Sequence, residues 1–145
     1  MKKYIGVKVI EAEFIPDARQ LEEDGPRYSI NKQDGYAILG PGGYQSWSPK
    51  AQFEEAYRPV EVMSCGMAIE LMKKGYKGSR LQWGEKFVYY VAGGTYPTQM
   101  PVAKQEFGAK AIYNPYLAMR QADGSVSMWT PNMEDMLTED WQIVD

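Results

Sequence analysis

The sequence predicts an α+β fold built from antiparallel hairpins that are each followed by a short helix. Apolar residues flank turns that contain glycine in two places, and the tripeptide Trp-Ser/Thr-Pro follows a hairpin pattern twice, at residues 47–49 and 129–131. Hydrophobic residues make up 44% of the 145-residue chain and charged residues 24%, as is typical of a globular protein. We therefore predict two related modules, residues 1–62 and residues 63–145.

The first module opens with a predicted strand over residues 4–14, where apolar and polar side chains alternate imperfectly. A polar surface loop is expected over residues 16–35. Two short strands, residues 36–39 and 44–47, then flank the turn Gly40-Pro41-Gly42-Gly43, which needs positive φ angles.

A helix is predicted over residues 50–57, directly after this hairpin. Ser48 has the side chain of a good N-cap, and Pro49 suits the first helical position. Pro59 stops the helix.

The second module begins with a predicted helix over residues 64–74. Its apolar residues recur at helical spacing, Lys73 and Lys74 suit the negative end of the helix dipole, and Gly75 suits the position after the C-cap. A strand is predicted over residues 87–91. The Gly- and Pro-rich stretch 93–111 has no clear period and is predicted to be a long loop.

The last third of the chain repeats the pattern of hairpin and helix. Strands are predicted over residues 116–120 and 125–129, around the turn at residues 121–124. Thr130 is the expected N-cap and Pro131 the first residue of a helix that ends near Leu137. A final strand is expected over residues 141–144.

Composition excludes several classes of chemistry. The chain contains no histidine, which removes Ser-His-Asp and Cys-His catalysis and histidine-based metal sites. Its one cysteine, Cys65, permits no intrachain disulfide and has no histidine to activate it. The net charge of −3 argues against binding to DNA or RNA, and no apolar stretch is long enough for a membrane span. We expect neither a metal nor a cofactor.

The residues best suited to bind a ligand follow the basic segment 73–80. Arg80 can grip a phosphate with two donors, Trp83 can stack on a nucleobase, and Lys86 and Phe87 follow closely. Trp129 offers a second stacking face and Thr130 an anion donor. Both tryptophans could instead be core anchors, and the residues alone leave this open. In the first module, Trp47 and Ser48 are candidates for a second pocket.

The second module resembles the second family of Thoeris anti-defence proteins, which are small phage proteins. The resemblance rests on a basic helix end at residues 67–77, on Arg80 and Trp83, and on the segments Pro115-Tyr116-Leu117-Ala118-Met119, Ala122-Asp123-Gly124, Trp129-Thr130-Pro131 and Asp135-Met136-Leu137-Thr138-Glu139-Asp140-Trp141. It covers about residues 63–145 and adds Asp135 to the expected ligand-binding residues.

The resemblance implies a sponge rather than an enzyme. Such a protein sequesters cyclic ADP-ribose isomers made by TIR-domain enzymes in the cytoplasm of the infected bacterium, and so blocks Thoeris immunity. The resemblance also implies cyclic dinucleotides as further ligands, with CBASS as a second target, and a homo-oligomer, commonly a tetramer. Two alternatives remain open: a phage module that binds a host protein, and an enzyme that processes nucleotides.

Overall fold

A computed structural model describes residues 1–16 and 34–145, and it confirms the α+β class. The predicted loop over residues 16–35 lies almost wholly outside the described residues. The chain divides into two compact units, residues 1–58 and residues 59–145. Among the described residues, every helix is too short and too polar to cross a lipid bilayer.

In its described residues, unit 1 contains a three-stranded antiparallel sheet and one α-helix. The elements are β1 (Glu11–Ile15), β2 (Gly35–Leu39), β3 (Gln45–Pro49) and α1 (Lys50–Ala56). β2 is the central strand and pairs with both neighbours. The turn between β2 and β3 uses positive φ angles at Gly42 and Gly43, as the sequence predicts.

Two sequence predictions for unit 1 are wrong. The strand predicted over residues 4–14 forms only at Glu11–Ile15, because β2 offers five partner residues and pairing stops where they end. Ser48 is not an N-cap: β3 extends through Pro49, which occupies the N-cap position without a side-chain hydrogen bond. Ser48 instead pairs with Tyr36 across the sheet.

Unit 2 contains a five-stranded antiparallel sheet, a two-stranded sheet and three helices. In chain order they are α2 (Cys65–Lys73), β4 (Lys77–Arg80), β5 (Phe87–Val91), β6 (Gly94–Pro97), α3 (Pro101–Phe107), β7 (Lys110–Tyr113), β8 (Tyr116–Arg120), β9 (Val126–Trp129), α4 (Met133–Leu137) and β10 (Trp141–Val144). The larger sheet has the strand order β10-β4-β5-β8-β9, and β6 pairs with β7.

Helix α2 forms as predicted and covers one face of the larger sheet. Ser64 caps its first turn by accepting a hydrogen bond from the amide of Met67, and Gly75 after its end has a φ of 102°. Its buried face includes Leu71 and Met72. Met72 lies directly over Gly78 of β4, where a larger side chain would collide with it. This contact identifies the inner face of the sheet.

Two sequence predictions for unit 2 are also wrong. Residues 93–111 are not a loop, because they form β6, α3 and the start of β7. Thr130 is not a helix N-cap either, because α4 begins three residues later, after Asn132. Asn132 and Asp135 form a reciprocal capping box, which satisfies the backbone amides at the helix start better than one threonine could.

Candidate functional site

A cluster of three tryptophans joins diagonally opposite corners of the larger sheet on its inner face. Trp129 ends the edge strand β9, Trp141 begins the other edge strand β10, and Trp83 lies in the turn between β4 and β5. The ring centroids are 5.2 to 5.9 Å apart, and the rings meet edge to face.

The contact between Trp129 and Trp141 requires a strongly curled sheet. Three strands separate β9 from β10, and a flat sheet would hold these strands roughly 19 Å apart. Twist and coiling of the sheet bring the two corners together over the inner face. Trp141 is fully buried, whereas Trp83 and Trp129 are partly exposed. Trp141 is therefore the core of the cluster, and the other two rings form its rim.

Arg80 lies beside the cluster and binds three carboxylates. Its Nε and Nη2 donate to Asp140 at 3.0 and 3.2 Å, its Nη1 donates to Asp135 at 3.0 Å, and its Nη2 donates to Glu134 at 3.1 Å. Hydrogen bonds to Asp140, and then to Glu134 and Asp135, outweigh burial and raise the pKa of Arg80. The guanidinium therefore ties β4 to α4 and to the turn before β10.

Asp135 occupies the centre of this network and is buried. One carboxylate oxygen accepts from Arg80, and the other accepts from the backbone amide of Asn132 at 3.0 Å. Its backbone carbonyl accepts from Nε1 of Trp141 at 2.8 Å. Nearby, burial and then the charge of Asp135 raise the pKa of the Cys65 thiol, which disfavours a reactive thiolate.

A cation lies over an aromatic ring on each face of the sheet. On the inner face, Nζ of Lys86 is 5.7 Å from the ring centroid of Trp83. On the outer face, Nζ of Lys77 is 5.3 Å from the ring centroid of Phe87. None of the five strands contains an acidic residue, so neither cation has a carboxylate from a neighbouring strand beside it.

The structure thus groups most, but not all, of the predicted ligand-binding residues. Arg80, Trp83, Lys86, Trp129 and Asp135 lie around the tryptophan cluster, and Thr130 follows Trp129 as an exposed residue. Phe87 lies on the outer face, because it alternates with Val88, the residue paired with Gly78. The contact of each of these residues with a ligand stays a prediction.

The geometry changes how Arg80 and Asp135 are interpreted. Arg80 was expected to grip a phosphate, but three carboxylates surround its single positive charge. A phosphate would have to displace one of them and face the other two. Both carboxylate oxygens of Asp135 accept hydrogen bonds from protein groups. These two side chains act first as positioning residues for the cluster.

In unit 1, the predicted second-pocket residues Trp47 and Ser48 lie in β3. The Trp47 ring packs against Gly35, which is buried and has no room for a larger side chain. Ser48 makes a 3.4 Å hydrogen bond to the carbonyl of Pro49. The ring contact gives Trp47 a packing role inside its own unit, and a pocket at this position stays a prediction.

Sequence reasoning missed Glu134, Asp140 and Trp141 as parts of this site. Nothing in the spacing of Arg80 and Asp140, 60 residues apart, shows that they meet across a strand pair. The spacing of Asn132 and Asp135 was a usable signal, because an acid three residues after an Asn is typical of a capping box. Within the described ranges, no group of three or more His, Cys, Asp or Glu side chains is arranged to hold a metal ion.

The fold and the cluster together define a small antiparallel α+β domain whose curled sheet is closed by tryptophans. A family model described as Tad2-like, the Thoeris anti-defense 2-like domain, matches residues 63–144. The chain therefore belongs to this family, and the resemblance found in the sequence is confirmed.

A curated relative agrees with this assignment. Over 84 residues the chain is 27% identical to the protein named Thoeris anti-defense 2 from Bacillus phage SP01. The aligned region covers 57% of this chain and 94% of that relative. The aligned length is close to the length of unit 2, residues 59–145.

We expect Arg80→Met to lower the free energy of unfolding of unit 2 by about 3 kcal/mol, because it leaves the buried Asp135 carboxylate without its cation. Thermal unfolding followed by circular dichroism measures the loss. Lys73→Met is the matched control, since Lys73 makes an exposed pair with Glu70 at 2.8 Å whose removal should cost less than about 0.5 kcal/mol. Equal losses in the two variants would contradict the role given to Arg80.

The loss of stability at acidic pH should depend on the protonation of Asp140. The hydrogen bonds from Arg80 lower the pKa of Asp140 below its usual 3.8, so its stabilisation is present above that pH and is lost as the pH falls. Between about pH 6 and about pH 3, the melting temperature of Asp140→Asn should therefore fall less than that of the unsubstituted protein. The neighbouring Glu139→Gln serves as control and should keep the original pH dependence. Identical curves for Asp140→Asn and the unsubstituted protein would contradict this assignment.

Proposed function

We propose that this protein is a phage anti-defence sponge that binds cyclic ADP-ribose isomers made by TIR-domain enzymes and thereby blocks Thoeris immunity. The observation that carries the proposal is the family match over residues 63–144, which spans nearly all of unit 2 and its tryptophan cluster. The relative named Thoeris anti-defense 2 supports the same reading. The proposal includes action in the cytoplasm of the infected bacterium, as a homo-oligomer without enzymatic turnover.

The chemistry of the cluster rim fits such a ligand. A cyclic ADP-ribose isomer has a flat adenine base and a negatively charged pyrophosphate. The partly exposed rings of Trp83 and Trp129 offer stacking surface for the base, and Lys86 offers a positive charge beside Trp83. The exposed hydroxyl of Thr130 adds a hydrogen-bonding group next to Trp129. Cyclic dinucleotides share the same base and phosphate chemistry, so the proposal extends to them and to CBASS.

The proposed site assigns the phosphate contact to Lys86 rather than to Arg80. Arg80 lies among three carboxylates, whose combined charge exceeds its own. Lys86 carries its charge at the rim, beside the ring on which a base would stack. In its positioning role, Arg80 holds α4 in place and thereby fixes the path of the chain after Trp129.

The alternatives predict different behaviour of a bound nucleotide. A module that only binds a host protein would take up no cyclic nucleotide. An enzyme would convert the nucleotide, and a small amount of protein would consume an excess of it. Titration and chromatography therefore separate the three functions without a structure of the complex.

We expect Lys86→Ala to weaken binding of a cyclic ADP-ribose isomer about tenfold and to flatten its salt dependence, because a charged contact to the pyrophosphate is lost. Isothermal titration of the full chain at two salt concentrations measures both effects. Lys77→Ala is the matched control: Lys77 also lies over an aromatic ring, at 5.3 Å, but on the outer face. Lys77→Ala should bind normally.

The reverse result, weak binding by Lys77→Ala and normal binding by Lys86→Ala, would move the ligand to the outer face. Absence of binding by the unsubstituted protein across a panel of cyclic ADP-ribose isomers and cyclic dinucleotides would overturn the proposed function.

A further inference from the structure

Residues 94–113 form an arm that contributes no strand to the larger sheet. The arm consists of β6, α3 and β7, and its two strands pair only with each other. Its one buried residue is Thr98, whose hydroxyl donates to the carbonyl of Gly108 at 2.6 Å and whose amide donates to the carbonyl of Ala109 at 3.0 Å. Polar contacts near the ends of α3, rather than an apolar core, therefore hold the arm together.

The arm exposes an unusual amount of apolar surface. Four of its apolar residues are at least 63% exposed: Met100, Val102, Phe107 and Ile112, the last at 84%. Tyr96 and Tyr113 are also exposed, and their rings are 6.1 Å apart. A two-stranded sheet is marginally stable in water unless it packs against something else. An apolar surface of this kind marks an interaction site.

The size of this surface suits a protein partner rather than a small ligand. If each of the six side chains exposes about 100 Å², the arm offers roughly 600 Å², close to the roughly 800 Å² that each partner buries in a standard interface. Its charges are few and mixed, with Lys104 and Lys110 against Glu106. A membrane surface would call for a cluster of basic residues, which the arm lacks.

We propose that the arm is the surface through which two copies of this chain associate. A twofold interface uses the same patch on both partners, so a largely apolar patch with almost balanced charge can face itself without strong repulsion. The outer face of the larger sheet is less suited to self-association. It exposes Val126 and Met128, but its strands also carry the cations Lys77 and Arg120 and no acid. The carboxylate of Glu85, 4.0 Å from Arg120, offsets only one of these two charges. This inference rests on the homo-oligomer included in the proposed function.

The arm also links assembly to the proposed ligand site through the strands that flank it. β5, which precedes the arm, begins one residue after Lys86, and β8, which follows the arm, pairs with β9, where Leu117 lies opposite Trp129. Association through the arm would therefore fix the end of β5 and the start of β8. These two strands adjoin Lys86 and Trp129 of the proposed ligand site.

The test compares Ile112→Lys with Met128→Lys by multi-angle light scattering of the full chain at micromolar concentration. Both residues are strand residues of unit 2 and both are highly exposed, at 84% and 72%. We expect the unsubstituted protein and Met128→Lys to be oligomers, and Ile112→Lys to lose the association made through the arm and elute with a smaller mass. Val102→Glu, which changes the helix of the arm, should reproduce the effect and covers the case in which Ile112→Lys does not fold.

A monomeric unsubstituted protein would overturn the proposal, as would Ile112→Lys and Val102→Glu variants that both stay fully assembled. Titration with a cyclic ADP-ribose isomer in the same samples keeps this inference separate from the proposed function. A monomer that binds the isomer contradicts the arm interface alone. An oligomer that the arm substitutions dissociate, but that binds no cyclic nucleotide, contradicts the proposed function alone.

Discussion

The ion-pair network of Arg80 is the interaction on which the rest of unit 2 depends. One guanidinium holds Glu134 and Asp135 of α4 and Asp140 of the turn before β10. Because the last strand pairs with β4, the strand that carries Arg80, the network locks the C-terminal segment to the centre of the chain. The fixed α4 in turn offers the carbonyl of Asp135 to the indole of Trp141.

This network also determines which positive charges remain for a ligand. Arg80 pairs with carboxylates of the protein itself, whereas a lysine lies over an aromatic ring on each face of the sheet. The curled sheet concentrates exposed indole surface on the inner side only, where Trp83 and Trp129 meet around Trp141. The proposed site for a flat anion therefore consists of a turn, a strand end and one lysine.

The sequence was informative where a signal is local. The hairpin turn at residues 40–43, helix α2 with its cap at Ser64, and the strands β5, β8 and β10 all form close to where apolar spacing and turn residues predict them. The arm was missed because β6 begins with a glycine and ends with a proline, residues that are typical of loops rather than strands. Its α3 exposes Val102 and Phe107, so it has no clean apolar face.

The site was only half predictable for a different reason. Trp83, Lys86 and Trp129 were identified as candidates from residue type, since aromatic and basic side chains suit a nucleotide wherever they occur. Their grouping depends on sheet curl, and the role of Arg80 depends on Asp140, which lies in the turn just before the strand that pairs with β4. The local spacing of residues indicates neither the sheet curl nor the ion pair of Arg80. Phe87 shows the same limit, because one residue of strand register decides which face a side chain occupies.

We propose that this protein holds a cyclic nucleotide without converting it. The most direct measurement mixes a cyclic ADP-ribose isomer with excess protein, removes the protein by ultrafiltration, and then heats the retained protein to release what it bound. We expect the isomer to disappear from the filtrate in proportion to the protein added and to return with unchanged mass and retention time. An isomer that stays in the filtrate, or that a trace of protein converts to a product of different mass, would contradict this proposal.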